Sequence, residues 1–100
     1  MRVELRGRRW NLVVVERLPE ASHGEIDPDN RPGKQIRIAH NQTPLDKLDT
    51  VIHECLHACV PDLSEEAVTE SATGIAKVLF RMGYRLKCAE PIEKPPPPKE

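Results

Sequence analysis

Two prolines, Pro44 and Pro61, bracket a segment whose apolar residues recur at helical spacing. Proline suits the first turn of a helix and breaks a helix interior, so the segment predicts one helix that ends near Val60. Thr43 is a good N-cap, and Asp46 falls in the first turn, where the helix dipole favours an acid. The apolar stripe consists of Leu45, Leu48, Ile52, Cys55 or Leu56, and Cys59.

A second helix is predicted directly after a short turn. Asp62 or Ser64 can cap its start, and Gly83 is typical of a helix C-terminus. Its apolar face consists of Val68, Ala72, Ile75, Ala76, Leu79 and Phe80. Two helices joined by so short a turn predict an antiparallel helical hairpin.

The first 40 residues indicate strands. Residues 2–5 and 10–18 are extended runs that predict a β-hairpin turning near Gly7, and residues 34–39 alternate polar and apolar as a half-buried strand does. Residues 24–27 can form a further short strand. We therefore predict an α+β fold, with a small two- to three-stranded antiparallel sheet packed on the first helix. Residues 1–88 form a single domain in this prediction, and the proline-rich residues 89–100 form a flexible tail.

Composition limits the classes of function. The chain has 100 residues, a net charge of −1 and three aromatic residues, so we expect neither a base-stacking surface nor a specific nucleic-acid partner. It contains no apolar run long enough to span a membrane and no signal peptide, so we expect a cytoplasmic protein with no membrane partner. Three cysteines, an odd number, fit a reducing compartment. The oligomeric state stays open.

The first helix carries the motif H-E-x-x-H. His53 and His57 are four residues apart, so their rings share one helix face and can grip one zinc ion. Glu54 is rotated from His53 by roughly 100° and can reach a water bound to the same metal, which it would deprotonate as general base. Cys55 and Cys59 lie on another face and are interpreted as small core residues.

A catalytic zinc site needs a third protein ligand. The first two turns of the second helix face the histidine pair in the predicted hairpin, and Glu66 and Glu70 share a face there, so either can point at the metal. The other would orient a histidine ring. Glu65 is explained well enough by the helix dipole. The full set of candidates is Glu65, Glu66, Glu70, Asp62, His40 and His23.

The stretches IHECLHA and EEAVTESA resemble the small gluzincin-type zinc metallopeptidases, which include ImmA/IrrE-type and SprT-like domains and small phage-encoded relatives. The resemblance covers residues 24–83. It implies His53, His57 and Glu66 as zinc ligands, Glu54 as the base, and Glu70 as the supporting residue. SprT-like proteins use a third histidine downstream, and no histidine follows His57 here, which favours the glutamate version.

The resemblance also implies a cleft lined by the strand that precedes the motif helix. Residues 34–39 occupy that place, and an extended peptide would add to them as a further strand. His40 and Tyr84 are the candidates for stabilising the transition state. The predicted function is hydrolysis of a peptide or protein substrate with Zn²⁺ as cofactor. The alternatives are a catalytically silent, zinc-stabilised binding module of the same fold, and a metal-free scaffold with solvated histidines.

Overall fold

The structure is a computed structural model, and it describes residues 1–86. The predicted α+β class is confirmed, since four strands and two helices form one sheet and one helical hairpin. The elements are β1 (Arg2–Leu5), β2 (Arg8–Val15), β3 (Gly24–Ile26), β4 (Gln35–Ala39), α1 (Pro44–Cys59) and α2 (Glu65–Arg81). A short 3₁₀ turn, Pro19–Ala21, follows β2.

The sheet is mixed, and this corrects the prediction of two or three antiparallel strands. The strand order is β1-β2-β4-β3, so the chain leaves β2, forms β3 at the far edge, and returns to place β4 between them. β4 runs parallel to β2, with Leu12 opposite Ile36, and antiparallel to β3. β4 is therefore an interior strand, paired along both sides.

The predicted hairpin near Gly7 is confirmed. Arg6 and Gly7 form a two-residue turn with φ of 52° and 77°, a pair of positive values that suits the twist of a hairpin. The Arg6 guanidinium donates to the carbonyl oxygen of Cys59 at 2.6 Å. The hairpin tip thus places a positive charge at the C-terminal end of α1, where the helix dipole favours one.

Both helices begin and end at the predicted signals. The Thr43 hydroxyl accepts from the Asp46 amide, and the Ser64 hydroxyl accepts from the Ala67 amide, each at 3.1 Å. α1 ends just before Pro61. Gly83, with φ of 99°, directly follows the last residues of α2.

The core lies between the sheet and α1. The inward side chains of β2 and β4 pack against Ala58, with Val51 and Cys55 of α1 at its edge. These strand residues are Trp10, Leu12, Val14, Ile36 and Ile38. α2 packs on the other side of α1 and touches no strand of the described residues.

Two further predictions concern the chain as a whole. Within residues 1–86, no helix is long and apolar enough to cross a membrane. The predicted proline-rich tail, residues 89–100, lies outside the described residues, and the domain boundary at residue 88 stays a prediction.

Candidate metal centre

His53 and His57 meet a carboxylate where α1 faces the start of α2. Their Nε2 atoms are 3.2 Å apart. The two carboxylate oxygens of Glu65 each lie 3.0 Å from one of these nitrogens. The antiparallel arrangement of the helices brings the group together, since Glu65 opens α2 and His57 lies near the end of α1.

The three side chains fit a metal ion. Zinc ligand atoms lie about 2.0–2.1 Å from the ion, so two of them at tetrahedral angles are about 3.3 Å apart. The observed separations of 3.0–3.2 Å are close to that value. The Nε2 atoms of both histidines and the Glu65 carboxylate converge on one point, an arrangement that the ligands of one ion require. The group could therefore hold a metal ion.

The acid at this group is Glu65, whereas the resemblance implied Glu66 as ligand with Glu70 in support. Among residues 1–86, no other carboxylate or thiol joins the two histidines. Glu66 is exposed, and Glu70 lies with Ile75 on the outer face of α2. The identity of the third ligand stays a prediction until a metal is measured, and the geometry favours Glu65.

The way α2 packs on α1 explains why Glu65, and not Glu66, meets the two histidines. α2 packs on α1 through Val68, Ala72 and Ala76, all fully buried. At roughly 100° per residue, Glu65 lies about 60° from Val68 around the helix, whereas Glu66 lies about 200° away. The apolar stripe alone therefore points to Glu65, a signal in the sequence that the helix-dipole interpretation of Glu65 left unused.

Glu54 is buried beside the group. Only 7% of the residue is exposed, and its carboxylate forms no hydrogen bond or ion pair with another group of residues 1–86. Burial raises the pKa of Glu54 from 4.5 to about 6; the nearby His57 opposes this rise, and the charges of Glu65 and Glu25 add to it. A buried carboxylate that faces a metal group and has no partner has its lone pairs free for a water or a substrate.

These residues line a cleft of about 490 Å³. β3 and the two residues before it form one wall, α1 forms the floor, and the N-terminal half of α2 forms the opposite wall. The lining residues are Ser22, His23, Gly24, Glu25, Ile26, Asp46, Asp49, Thr50, His53, Glu54, His57, Glu65, Thr69 and Thr73.

The strand beside the cleft is β3, and the expectation that residues 34–39 form this edge is wrong. His23 and Asp27 hydrogen-bond through their backbones to β4. Because antiparallel pairs alternate, the backbone groups of Gly24 and Ile26 between them point away from β4, toward the unpaired edge. The Gly24 carbonyl accepts from the Ser22 hydroxyl at 3.0 Å, and the other outward backbone groups of β3 have no partner among residues 1–86. The segment GEI has only three residues, which is too short for an alternation of polar and apolar side chains to predict an edge strand.

Gly24 is a functional candidate that no sequence pattern predicted. A Cβ atom at this position would lie 2.6 Å from the Thr50 Cγ2 atom and 2.9 Å from a carboxylate oxygen of Glu54. Such distances are far below van der Waals contact, so only glycine lets β3 pass this closely over α1. The close approach holds the free strand edge directly over the Glu54 side chain.

Neither predicted transition-state donor lines the cleft. The Nδ1 atom of His40 lies 2.8 Å from the Lys47 ammonium, and Tyr84 is exposed beyond α2. His23, which was predicted only as a candidate third ligand, does line the cleft next to β3.

Cys55 packs against the core, and burial raises the pKa of its thiol to about 11, which agrees with its interpretation as a structural residue. Cys59 is half-buried.

No protein-family model matches the sequence, and neither a curated protein nor a solved structure is significantly similar to it. The resemblance to gluzincin-type metallopeptidases therefore stays a prediction.

Proposed function

We propose that this protein is a zinc-dependent peptidase. The observation that carries the proposal is the buried, unpartnered Glu54 carboxylate beside a convergent group of two imidazole nitrogens and a carboxylate, within an open cleft. Two nitrogens and one carboxylate are a ligand set of catalytic zinc, which leaves one coordination position for a water or substrate. A purely structural zinc site would have four protein ligands.

Each side chain has a defined role in this proposal. His53, His57 and Glu65 hold the metal. Zinc, when bound, lowers the pKa of a water molecule and polarises a carbonyl group. Glu54 accepts the proton of the attacking water and delivers it to the departing amine. The outward backbone groups of β3 bind the peptide as an added strand, which holds the scissile bond over Glu54.

The first test is metal content together with hydrolysis. Zinc should be present at about one ion per chain after dialysis, as measured by elemental mass spectrometry, and His57→Ala should lose it. Glu54→Gln should keep the zinc and lose at least about 100-fold of the cleavage rate on a fluorogenic peptide mixture, because the general base is gone. A Glu54→Gln protein with unchanged cleavage would rule out the mechanism, and a chain that takes up no zinc would rule out the proposal.

A second candidate is a zinc-stabilised binding module without turnover. One observation favours it, since neither His40 nor Tyr84 lines the cleft. A metal ion held by His53, His57 and Glu65 would also link α1 to α2. This module should bind zinc and lose stability on chelation, yet cleave no peptide. Zinc-dependent cleavage by the natural sequence, absent in Glu54→Gln, decides for the peptidase.

A further inference from the structure

The cleft carries only one sign of formal charge. Five acidic side chains are among its lining residues, and no lysine or arginine is. They are Glu25, Asp46, Asp49, Glu54 and Glu65. Because the net charge of the whole chain is only −1, this segregation is a property of the cleft and not of the composition.

One of the five acids has a compensating charge among the described residues, and two others would gain one from a bound metal ion. Glu25 forms an ion pair with Arg37 at 3.0 Å, on β4. Glu54 and Glu65 together carry two negative charges, which one Zn²⁺ ion would balance. The two remaining acids, Asp46 and Asp49, form no ion pair with any described residue, although both lie on the cleft face of α1. The uncompensated charge is thus concentrated at the end of the cleft near the N-terminus of α1.

The Asp49 side chain is held in place in the lining of the cleft. It is half-buried, and its Oδ2 atom accepts a hydrogen bond of 2.8 Å from the Thr73 hydroxyl of α2, which fixes the carboxylate and leaves Oδ1 without a partner in the described chain. The helix dipole accounts for Asp46 in the first turn of α1, but Asp49 lies beyond that turn. Glu54 lines the same cleft, is only 7% exposed, and has no partner for its carboxylate among the described residues, which points to a ligand in the cleft.

From this arrangement we infer that the cleft selects peptides with a lysine or arginine side chain, held by Asp49 with support from Asp46. The inference rests on the proposed function, because it assumes that a peptide occupies the cleft. Along α1, Asp49 lies about 9 Å from the middle of the histidine pair. An extended peptide covers that distance in about three residues, so the basic residue lies about three positions from the bond over the metal.

The decisive experiment measures binding separately from cleavage. Zinc-loaded Glu54→Gln protein, expected to be unable to cleave, is titrated by fluorescence anisotropy with two peptide libraries that share one framework. One library contains lysine and arginine, and the other replaces them by norleucine and citrulline, which are neutral and nearly isosteric. The same titrations are made with Asp46→Asn and Asp49→Asn added singly and together, and with Glu66→Gln as a charge-matched control outside the cleft.

The charged library should bind about tenfold more tightly than the neutral one at low salt, and the preference should shrink at high salt. The double Asp variant should lose most of it, Asp49→Asn more than Asp46→Asn, and Glu66→Gln should retain it. Thr73→Val, which releases the Asp49 carboxylate without changing charge, should lower the preference by about two- to threefold.

Equal binding of the two libraries, or a preference that survives in the double Asp variant, would overturn the inference. Its failure is distinguishable from failure of the proposed function. If the natural sequence cleaves both libraries at one rate in a zinc-dependent manner, the peptidase stands and the charge selection falls. If the protein binds no zinc, the proposed function falls, and charge-selective binding by the metal-free cleft would still be measurable.

Discussion

The two helices bury different kinds of side chain. α1 lies between the sheet and α2, and its buried residues include Lys47, Thr50 and Glu54. α2 contacts α1 alone, buries only apolar side chains, and leaves apolar residues such as Val78 exposed on its outer face. Buried polar groups cost folding free energy when they lack partners, and Glu54 has none in the described chain.

The two helices contribute different residues to the site. α1, which packs against both the sheet and α2, carries His53, His57 and Glu54. α2 supplies Glu65 from its first residue, and the Glu65 side chain is 69% exposed. The position of Glu65 therefore depends on how α2 docks, whereas the positions of His53 and His57 depend on the packing of α1 against the sheet.

The largest expected effect is the difference in zinc affinity between substitutions at the neighbouring residues Glu65 and Glu66 of α2. Glu65→Gln should weaken zinc binding by at least about tenfold, because it replaces an anionic ligand that lies 3.0 Å from both imidazoles. Glu66→Gln, one residue further on and exposed, should change the affinity by less than about twofold. Competition with a chromogenic zinc chelator measures both. The reverse order would restore Glu66 as the ligand and show that α2 docks about one residue out of the present register.

Substitutions at two glycines test the difference between the tightly packed face of α1 under β3 and the open face of α2. Gly24→Ala should destabilise the protein by about 1–3 kcal/mol, because its Cβ would collide with Thr50 and Glu54. Gly74→Ala, in the middle of α2 with no atom within 4 Å of the new Cβ, should stabilise it by about 0.5–1 kcal/mol. Urea denaturation of the two variants measures the difference. Equal effects would mean that β3 does not pass closely over α1.

The cost of burying Glu54 should appear as a pH-dependent stability of the metal-free protein. The pKa of Glu54 is about 6 in the folded state and near 4.5 in the unfolded chain, so the folded state holds this proton more tightly. Its stabilising contribution is complete below pH 4.5 and is lost as the pH rises through 6. Glu54→Gln should therefore raise the unfolding free energy by up to about 2 kcal/mol at pH 7.5 and by little at pH 4.5.

Denaturation in the presence of a chelator, with Glu66→Gln as control, tests this dependence on pH. Glu66→Gln should be neutral at both pH values, because Glu66 is exposed. A Glu54→Gln protein that is less stable than the natural sequence at pH 7.5 would contradict the expectation and would mean that the buried carboxylate has a stabilising partner.

Local features of the fold were predictable because their causes are local. Thr43 and Ser64 cap the helices through amides three residues away, and Pro61 ends α1 by its own geometry. The turn at Gly7 follows from the ease with which glycine adopts a positive φ. His53, Glu54 and His57 lie four residues or fewer apart, so the α-helix itself fixes how they are arranged.

Features that depend on distant residues were predicted less well. The alternation in residues 34–39 correctly indicated that Ile36 and Ile38 are buried, but an interior strand and an edge strand can show the same alternation. Whether β4 pairs on one side or two depends on where β3 returns to the sheet, which no local pattern encodes. Gly24 could not be recognised for the same reason, because its constraint comes from Thr50 and Glu54 on another element.

The sequence by itself determined that two capped helices form and that the histidines and Glu54 share one region of α1. Helical periodicity, proline geometry and hydrogen-bonded caps act over a few residues and need no partner element. Only the tertiary structure decided that Glu65 meets the histidines, that β3 borders the cleft, and that Asp49 is fixed by Thr73. These contacts join residues 8 or more positions apart on different elements, and their free energy depends on how whole elements pack against one another.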